Sequence, residues 1–223
     1  MEEKCWLRTN CNGIDCNKDF CLKKYKLDKL YELSQLPDFF KRDIKLRVDA
    51  DGGDLENFKW LSSVMQNIDK FVDAGDNIYI HSPTTGNGKT SMAIKLLKAY
   101  MLKIWPKANL ECKALYIHVP RLFLALKDNI TEKSEYVSFI KNNVYDADLV
   151  VWDEVGTKTL TSYEFEHILS MINTRLDSGK SNIYTSNLTN DELLKKLGDR
   201  LYSRIVNNSQ DILFVGKDKR GLF

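Results

Sequence analysis

The chain of 223 residues carries 33 Lys and Arg against 31 Asp and Glu, a formal net charge of +2 at pH 7. This near balance excludes the strong overall positive field of a general nucleic-acid binder. A hydrophobic content of 43% suits one sizeable buried core with a small appendage. The sequence has no signal-peptide pattern and no apolar run near the roughly 18 residues typical of a membrane span. We therefore expect a cytoplasmic protein without membrane partners.

A cysteine-rich segment opens the chain, with Cys5, Cys11, Cys16 and Cys21 all within the first 21 residues. Four close thiols without a secretory signal favour a metal site over disulfides. We expect one Zn²⁺ held by these four thiolates, which would order a segment too short to have its own core. An iron–sulfur cluster uses the same ligands, and scattered free thiols are the third interpretation. Cys112 is predicted to be a small core residue.

Two helical segments follow, separated by an acidic loop. The first predicted helix runs from Leu22 to Leu36 and ends before Pro37, because proline cannot continue a helix. The segment from Asp49 to Asp54 is acidic and contains glycine, which predicts a loop or hinge. Apolar residues then recur at helical spacing from Leu55 to Asp73, which predicts one amphipathic helix.

A phosphate-binding loop follows the apolar strand predicted at residues 77–81, and a helix-spaced apolar run over residues 88–104 follows the loop. Backbone N–H groups of small residues and a helix N-terminus bind phosphate oxygens. We expect Lys89 to reach the β- and γ-phosphates of ATP and the Thr90 hydroxyl to coordinate Mg²⁺. The loop residues assigned to ATP binding are Thr84, Thr85, Gly86, Asn87, Gly88, Lys89, Thr90 and Ser91.

The loop departs from the pattern G-x-x-x-x-G-K-[ST] at its first position, where this chain has Pro83. Proline holds φ near about −65° and lacks an N–H, so it changes the start of the loop. The half nearest the helix, with Gly86, Gly88, Lys89 and Thr90, is intact. An ordinary glycine-containing turn with an incidental lysine is the alternative interpretation.

Two carboxylates follow the apolar run Leu149-Val150-Val151-Trp152. Such a run is typical of a buried strand, and open α/β sheets bind their ligands at the carboxyl ends of the strands. We expect Asp153 to hold Mg²⁺ through its water shell and to complete the ATP site. Glu154 is predicted to orient or deprotonate an attacking water. An acidic turn after a core strand is the alternative for this pattern taken alone.

Strands and helices alternate through the rest of the chain, which predicts a parallel five-stranded sheet flanked by helices. The fourth strand leads to Ser186 and Asn187, and Asn187 resembles the sensor-1 residue of AAA+ ATPases. The resemblance implies that its amide holds the attacking water or the γ-phosphate. Capping of the next helix, the ordinary role for Asn, suits Thr189 or Asn190 better. The remaining predicted strands cover residues 114–119, 182–185 and 212–215, and the remaining helices cover 120–130, 134–143, 161–178 and 190–206.

Five further motifs occur in order along the second half of the chain. They are Tyr116-Ile117-His118-Val119-Pro120-Arg121-Leu122, Thr185-Ser186-Asn187-Leu188-Thr189, Asp191-Glu192-Leu193, Leu197-Gly198-Asp199-Arg200-Leu201-Tyr202-Ser203-Arg204-Ile205 and Phe214-Val215-Gly216-Lys217-Asp218-Lys219-Arg220. Together they resemble the bacterial and phage helicase loaders of the DnaC/DnaI type over about residues 36–223. The resemblance implies an AAA+ ATPase domain in residues 54–223, without a separate C-terminal lid domain. It also implies that residues 1–53 contact a helicase, with a cysteine-rich tip similar to the zinc-bearing region of some loaders.

The same resemblance assigns Arg204 to the arginine-finger position. From there it would reach the γ-phosphate bound to a neighbouring subunit and stabilise charge in the transition state. Arg200 precedes it by one helical turn on the same face and is the alternative finger. A surface position or a salt bridge within the subunit is the ordinary role of either residue. Arg220 is a candidate for sensing nucleotide or contacting DNA.

By resemblance, the chain is expected to be an ATP-dependent helicase loader of a phage or related mobile element. It would self-associate through the ATP interface, bind a DnaB-type replicative helicase and help place it on single-stranded DNA, with slow hydrolysis. Two alternatives remain. One is an IstB-like transposition helper that wraps duplex DNA and recruits a transposase. The other is a hydrolysis-silent ATP-binding adaptor that sequesters a helicase, as Pro83 suggests.

Overall fold

The computed structural model describes residues 21–41, 44, 46 and 53–218. Within these residues a parallel sheet lies between two layers of helices. The strands are β1 (Asn77–His81), β2 (Ala114–His118), β3 (Leu149–Asp153), β4 (Ser181–Ser186) and β5 (Gln210–Leu213). The α-helices are α1 (Leu22–Leu33), α2 (Leu55–Gln66), α3 (Ile68–Asp73), α4 (Lys89–Ile104), α5 (Val119–Asp128), α6 (Glu135–Asn143), α7 (Ser162–Asp177) and α8 (Asn190–Val206), and a 3₁₀ turn covers Asp38–Lys41.

The sheet order is β2-β3-β4-β1-β5, and every pairing is parallel. The predicted five-stranded parallel sheet flanked by helices is therefore confirmed. Because all strands run the same way, their carboxyl ends meet at one edge. The register places His118 beside Asp153 there, and β1, which leads into the phosphate loop, pairs with β4. This order brings the loop and the acidic strand end to opposite sides of β4.

Two apolar clusters cover the two faces of the sheet. One joins α1, α2, α3 and α4 to the sheet, and the other joins α5, α6, α7 and α8 to it. Helix α1 contributes Leu27, Leu30 and Tyr31 to the first cluster, each at most 2% exposed. Burial of three such side chains stabilises its attachment by on the order of 5 kcal/mol.

The end of α1 also covers the edge strand β2. The Tyr116 N–H donates to the Ser34 carbonyl at 2.8 Å, which satisfies a backbone group that an edge strand would otherwise expose. Cys112 lies beside this contact, 7% exposed, and its thiol donates to the Leu33 carbonyl. A small core cysteine is what the sequence predicted there. The division of the chain at residue 53 stays a prediction.

Three predicted helices end or divide differently in the structure. Helix α1 ends at Leu33 rather than Leu36, because Gln35 has φ +58° and a left-handed residue interrupts the helix. The single helix predicted from Leu55 to Asp73 is divided at Asn67, which has φ −114° and ψ 33° and whose side chain donates to the Ser63 carbonyl. Helix α8 is broken at Gly198, where φ is 74° and ψ is 162°.

Candidate nucleotide-binding site

The phosphate loop is a compact turn organised around one hydroxyl. Ser82 Oγ accepts hydrogen bonds from the Thr84 N–H at 3.0 Å and from the Asn87 side-chain amide at 2.8 Å. Pro83 lies inside this small turn, so its missing N–H removes none of these bonds. Gly86 and Gly88 have φ of 72° and 102°, conformations that residues with a Cβ rarely adopt. The loop is therefore ordered although Pro83 departs from the phosphate-loop pattern.

Lys89 crosses the loop from the first residue of α4. Its ammonium donates to the Thr84 carbonyl at 2.8 Å and to Asn87 Oδ1 at 3.1 Å, and the residue is 5% exposed. The N-terminus of a 16-residue helix adds partial positive charge to the same place. The amides, the ammonium and the helix end form the donor set that binds phosphate oxygens. Thr85 lies on the exposed side of the loop, and Ser91 lies in the first turn of α4.

Three hydroxyl groups converge on the buried carboxylate of Asp153. Oδ1 accepts from Thr90 at 2.8 Å and from Thr185 at 2.6 Å, and Oδ2 accepts from Tyr116 at 2.7 Å. Asp153 is 2% exposed. The bond from Thr90 joins the phosphate loop to the end of β3, so the two motifs that the sequence predicts to cooperate are in direct contact.

Tyr116 stays a hydrogen-bond donor at every physiological pH. Burial, and then the charge of the neighbouring Asp153 carboxylate, raise the pKa of Tyr116 well above its usual value. A neutral phenol can donate a hydrogen bond to the Asp153 Oδ2 atom and keeps its own proton. The sequence motifs quoted above include Tyr116, but they gave no reason to place its hydroxyl on Asp153.

Glu154 has a strained backbone and two side-chain neighbours. Its φ is +61°, a left-handed conformation that costs a non-glycine residue about 1 kcal/mol. Its N–H donates to Thr185 Oγ1 at 3.0 Å. His118 Nε2 lies 3.3 Å from Glu154 Oε2. The Glu154 side chain is 39% exposed, so its carboxylate lies at the open edge of the sheet beside the buried Asp153.

Thr185 is the residue of β4 that contacts both acids. It donates to Asp153 and accepts from the Glu154 backbone. The sequence assigned the polar role on this strand to Asn187, which is half-buried just beyond the end of β4. Residues of alternate position share one strand face. The available signal for Thr185 was its position two residues before Asn187, on the same face of the strand. The role of Asn187 stays a prediction.

Arg200 and Arg204 lie on the exposed face of α8, after the break at Gly198. Leu201 and Ile205 on the opposite face are buried against the sheet. Both arginines are therefore exposed to solvent. Their roles stay predictions, and Arg220 lies outside the described residues.

The predicted metal ligands Cys5, Cys11 and Cys16 lie outside the described residues. Cys21 is described, and it caps α1: its Sγ accepts the Lys24 N–H at 3.4 Å. Among residues 21–41, 44, 46 and 53–218, no group of three or more His, Cys, Asp or Glu side chains is arranged to hold a metal ion. The zinc assignment therefore depends on residues beyond this part of the chain.

The fold and this site define a P-loop nucleotide-binding α/β domain. The model of the family "IstB-like ATP binding protein" matches residues 30–211, and the chain belongs to that family. The replicative helicase loader DnaC of Escherichia coli K12 is 26% identical over 169 residues, which cover 75% of this chain and 64% of the loader. The chain thus spans slightly less than two thirds of that relative.

Two solved structures share the fold. The crystal structure of the DnaC helicase loader matches with a TM-score of 0.60 at 20% identity, covering 75% of this chain and 93% of that one. A crystal structure of DnaI matches with a TM-score of 0.57 at 19% identity, covering 85% and 93%. The sequence-based expectation of an AAA+ fold of the DnaC/DnaI type is confirmed. Within the described residues, no helix combines the length and apolarity needed to cross a bilayer.

Proposed function

We propose that the chain is an ATPase of switch-like, slow turnover. The observation that carries this proposal is the contact between Thr90 of the phosphate loop and Asp153 at the end of β3. It assembles a phosphate-binding donor set and two carboxylates at one sheet edge, within a family of ATP-binding proteins. Thr84 to Ser91 would hold the ATP phosphates, and Lys89 would exchange its bonds within the loop for the β- and γ-phosphate oxygens.

The donor set of the site fits Mg²⁺. The Thr90 hydroxyl and the Asp153 carboxylate offer the hard oxygen ligands that this ion binds, directly or through water. When bound, the ion would neutralise part of the phosphate charge. Glu154, at the open edge, would take the proton of an attacking water. Thr185 would set the positions of both acids, and Asn187 would hold the water or the γ-phosphate.

We further propose that the chain loads a DnaB-type replicative helicase onto single-stranded DNA. The similarity to a replicative helicase loader over 75% of this chain supports it. Residues 1–53 would contact the helicase, and ATP would favour self-association through a face that includes Arg204. Slow hydrolysis of ATP would then release the loader from the helicase.

The deciding experiment is a pull-down with the cognate replicative helicase, followed by native mass determination with ATP, with ADP and without nucleotide. A defined complex whose stability changes with nucleotide is the expected result. Glu154→Gln should keep ATP binding and lose turnover, and equal negligible turnover in wild type and variant would favour the silent adaptor. No helicase binding in any nucleotide state would refute the loader proposal.

The arginine finger has its own test in mixtures of inactive variants. Arg204→Ala and Lys89→Ala should each lose turnover, the first by about 10³-fold. Mixing the two should restore part of it, because one subunit then supplies the finger and the other binds ATP. Arg200→Ala, mixed with Lys89→Ala in the same way, is the matched control. If turnover is restored in the mixture with Arg200→Ala but not in the mixture with Arg204→Ala, Arg200 is the finger instead of Arg204. Absence of restoration with either variant would contradict an arginine acting between subunits.

The family match also favours a second candidate function, an IstB-like transposition helper. Such a helper would assemble on duplex DNA in the presence of ATP and bind a transposase. ATP-dependent assembly on duplex DNA without helicase binding would support this alternative. Equal weak binding to duplex and single-stranded DNA would support neither.

Zinc binding by Cys5, Cys11, Cys16 and Cys21 is likewise a proposal. Its support within the described residues is the position of Cys21 at the N-cap of α1, where its sulfur accepts the Lys24 N–H at 3.4 Å. Elemental analysis of untagged full-length protein should find about one zinc per chain. Iron with acid-labile sulfide would indicate a cluster instead, and the absence of both metals would refute the site.

A further inference from the structure

Among the contacts described above, Tyr116 is the one residue of β2 that contacts both the Asp153 carboxylate and the end of α1. Its hydroxyl donates to Asp153 Oδ2 at 2.7 Å, and its N–H donates to the Ser34 carbonyl at 2.8 Å. The residue is 6% exposed and its ring belongs to the apolar cluster on the α4 face of the sheet. The phenol therefore approaches Asp153 from a fixed direction.

The two oxygens of Asp153 are held unequally. Oδ1 accepts from Thr90 and Thr185, whereas Oδ2 accepts from Tyr116. If the Thr90 hydroxyl turns to Mg²⁺ when nucleotide binds, Thr185 and Tyr116 remain, one on each oxygen. A carboxylate held at both oxygens cannot rotate about its Cβ–Cγ bond without losing a charge-assisted hydrogen bond. Loss of the phenol would leave that rotation opposed by Thr185 alone.

We propose that Tyr116 is a positioning residue: it fixes the plane of the Asp153 carboxylate so that the carboxylate meets the water shell of Mg²⁺ bound with ATP. This inference rests on the ATP and Mg²⁺ site proposed above. Since the backbone of Tyr116 is held by Ser34, the residue that caps the C-terminus of α1, the orientation of Asp153 depends on how α1 packs against β2. In this role Tyr116 acts through Asp153.

The chain provides a matched control for this proposal. Tyr100 OH donates to Asp148 Oδ2 at 3.2 Å, so Tyr100→Phe removes a tyrosine–aspartate hydrogen bond of the same type. Asp148 directly precedes β3, at the end of the strand opposite Asp153. Tyr116→Phe removes one oxygen atom and keeps the ring in its apolar cluster. Both variants should therefore fold, which circular dichroism and thermal unfolding would verify.

The experiment measures the affinity of the full-length protein for a fluorescent ATP analogue across a Mg²⁺ titration and in EDTA. In Tyr116→Phe, the Mg²⁺ concentration that gives half of the affinity gain should rise about tenfold, the effect of one hydrogen bond to a charged group. Affinity in EDTA should stay at the wild-type value, because the phosphate loop is unchanged. Tyr100→Phe should match wild type under both conditions.

A second pair of variants tests whether Tyr116 acts through the carboxylate. In an Asp153→Asn background, Tyr116→Phe should cause no further shift in the Mg²⁺ midpoint, because the oriented charge is already absent. A wild-type Mg²⁺ midpoint in Tyr116→Phe would overturn the proposal. An equal loss of affinity in Mg²⁺ and in EDTA would also overturn it, since that pattern indicates a general structural role. Failure of the wild-type protein to bind ATP more tightly with Mg²⁺ would instead refute the proposed site itself.

Discussion

Replacement of Thr185 by valine tests the centre of the proposed site with almost no change in shape. The threonine hydroxyl donates to Asp153 Oδ1 at 2.6 Å and accepts from the Glu154 N–H at 3.0 Å, in a side chain that is 1% exposed. Valine replaces this hydroxyl with a methyl group of similar size. Both acids lose their shared partner in a buried position.

The magnitude follows from the two bonds. A hydrogen bond to a charged carboxylate contributes about 1.5–3 kcal/mol, and the backbone bond contributes about 1 kcal/mol. Asp153 Oδ1 retains the bond from Thr90, which favours the lower part of the range. We expect Thr185→Val to lower the free energy of unfolding by about 2.5 kcal/mol, a factor of about 70 in the folding equilibrium. Turnover should fall as well, because Glu154 loses its backbone anchor.

The assay combines urea unfolding with single-turnover ATP hydrolysis and nucleotide affinity. Thr185→Ser keeps the hydroxyl and should stay within about 1 kcal/mol of wild type. Asn187→Ala should leave stability nearly unchanged and reduce turnover only, if Asn187 has the predicted role. Wild-type stability and turnover in Thr185→Val would refute the reasoning that this hydroxyl positions the two acids.

Three further predictions concern strain, a buried charge and the thiols. Glu154→Gly should raise the free energy of unfolding by about 1 kcal/mol, since glycine adopts φ of +61° without strain, and should abolish hydrolysis; a loss of stability in urea unfolding would contradict the first expectation. Arg175 is completely buried and donates to Asn182 Oδ1 and to three carbonyl groups. Arg175→Met should therefore cost about 3–5 kcal/mol, because the buried carbonyl groups lose this charged donor; Arg204→Met is the exposed control, and wild-type stability of Arg175→Met would refute the expectation. Burial raises the pKa of the Cys112 thiol to about 12, so iodoacetamide at pH 8 should leave Cys112 unmodified in the folded protein. Cys21 should react with iodoacetamide only after a chelator removes zinc. Full reaction of Cys21 before the chelator is added would contradict the metal site.

Most local elements were accessible from the sequence because their signals are local. The apolar run before Asp153 and the glycine–lysine loop after residues 77–81 both correspond to observed elements. Helix ends were less accessible, because Gln35 and Asn67 adopt conformations that side-chain pattern does not reveal. The chain divides into α2 and α3 at the single residue Asn67, and the spacing of apolar residues gives no signal for this break.

Contacts made by residues far apart in sequence were decided only by the fold. Tyr116 and Asp153 are separated by 37 positions, and Thr185 and Asp153 by 32. They meet because β2, β3 and β4 are neighbours in the sheet and share one carboxyl edge. The pairing of β1 with β4 rather than with β2 is a property of the whole sheet, which no single motif encodes.

By itself, the amino-acid sequence determined the chemistry available to this protein: a phosphate loop with its lysine and threonine, and two adjacent acids after a buried strand. These depend on residue type and on spacing within one strand–loop–helix unit. Only the tertiary structure decided which side chains hold the acids in place, and that α1 packs against the strand that carries Tyr116. Such contacts depend on strand order and on which face each side chain occupies, since both arise when separate elements bury their apolar surfaces together.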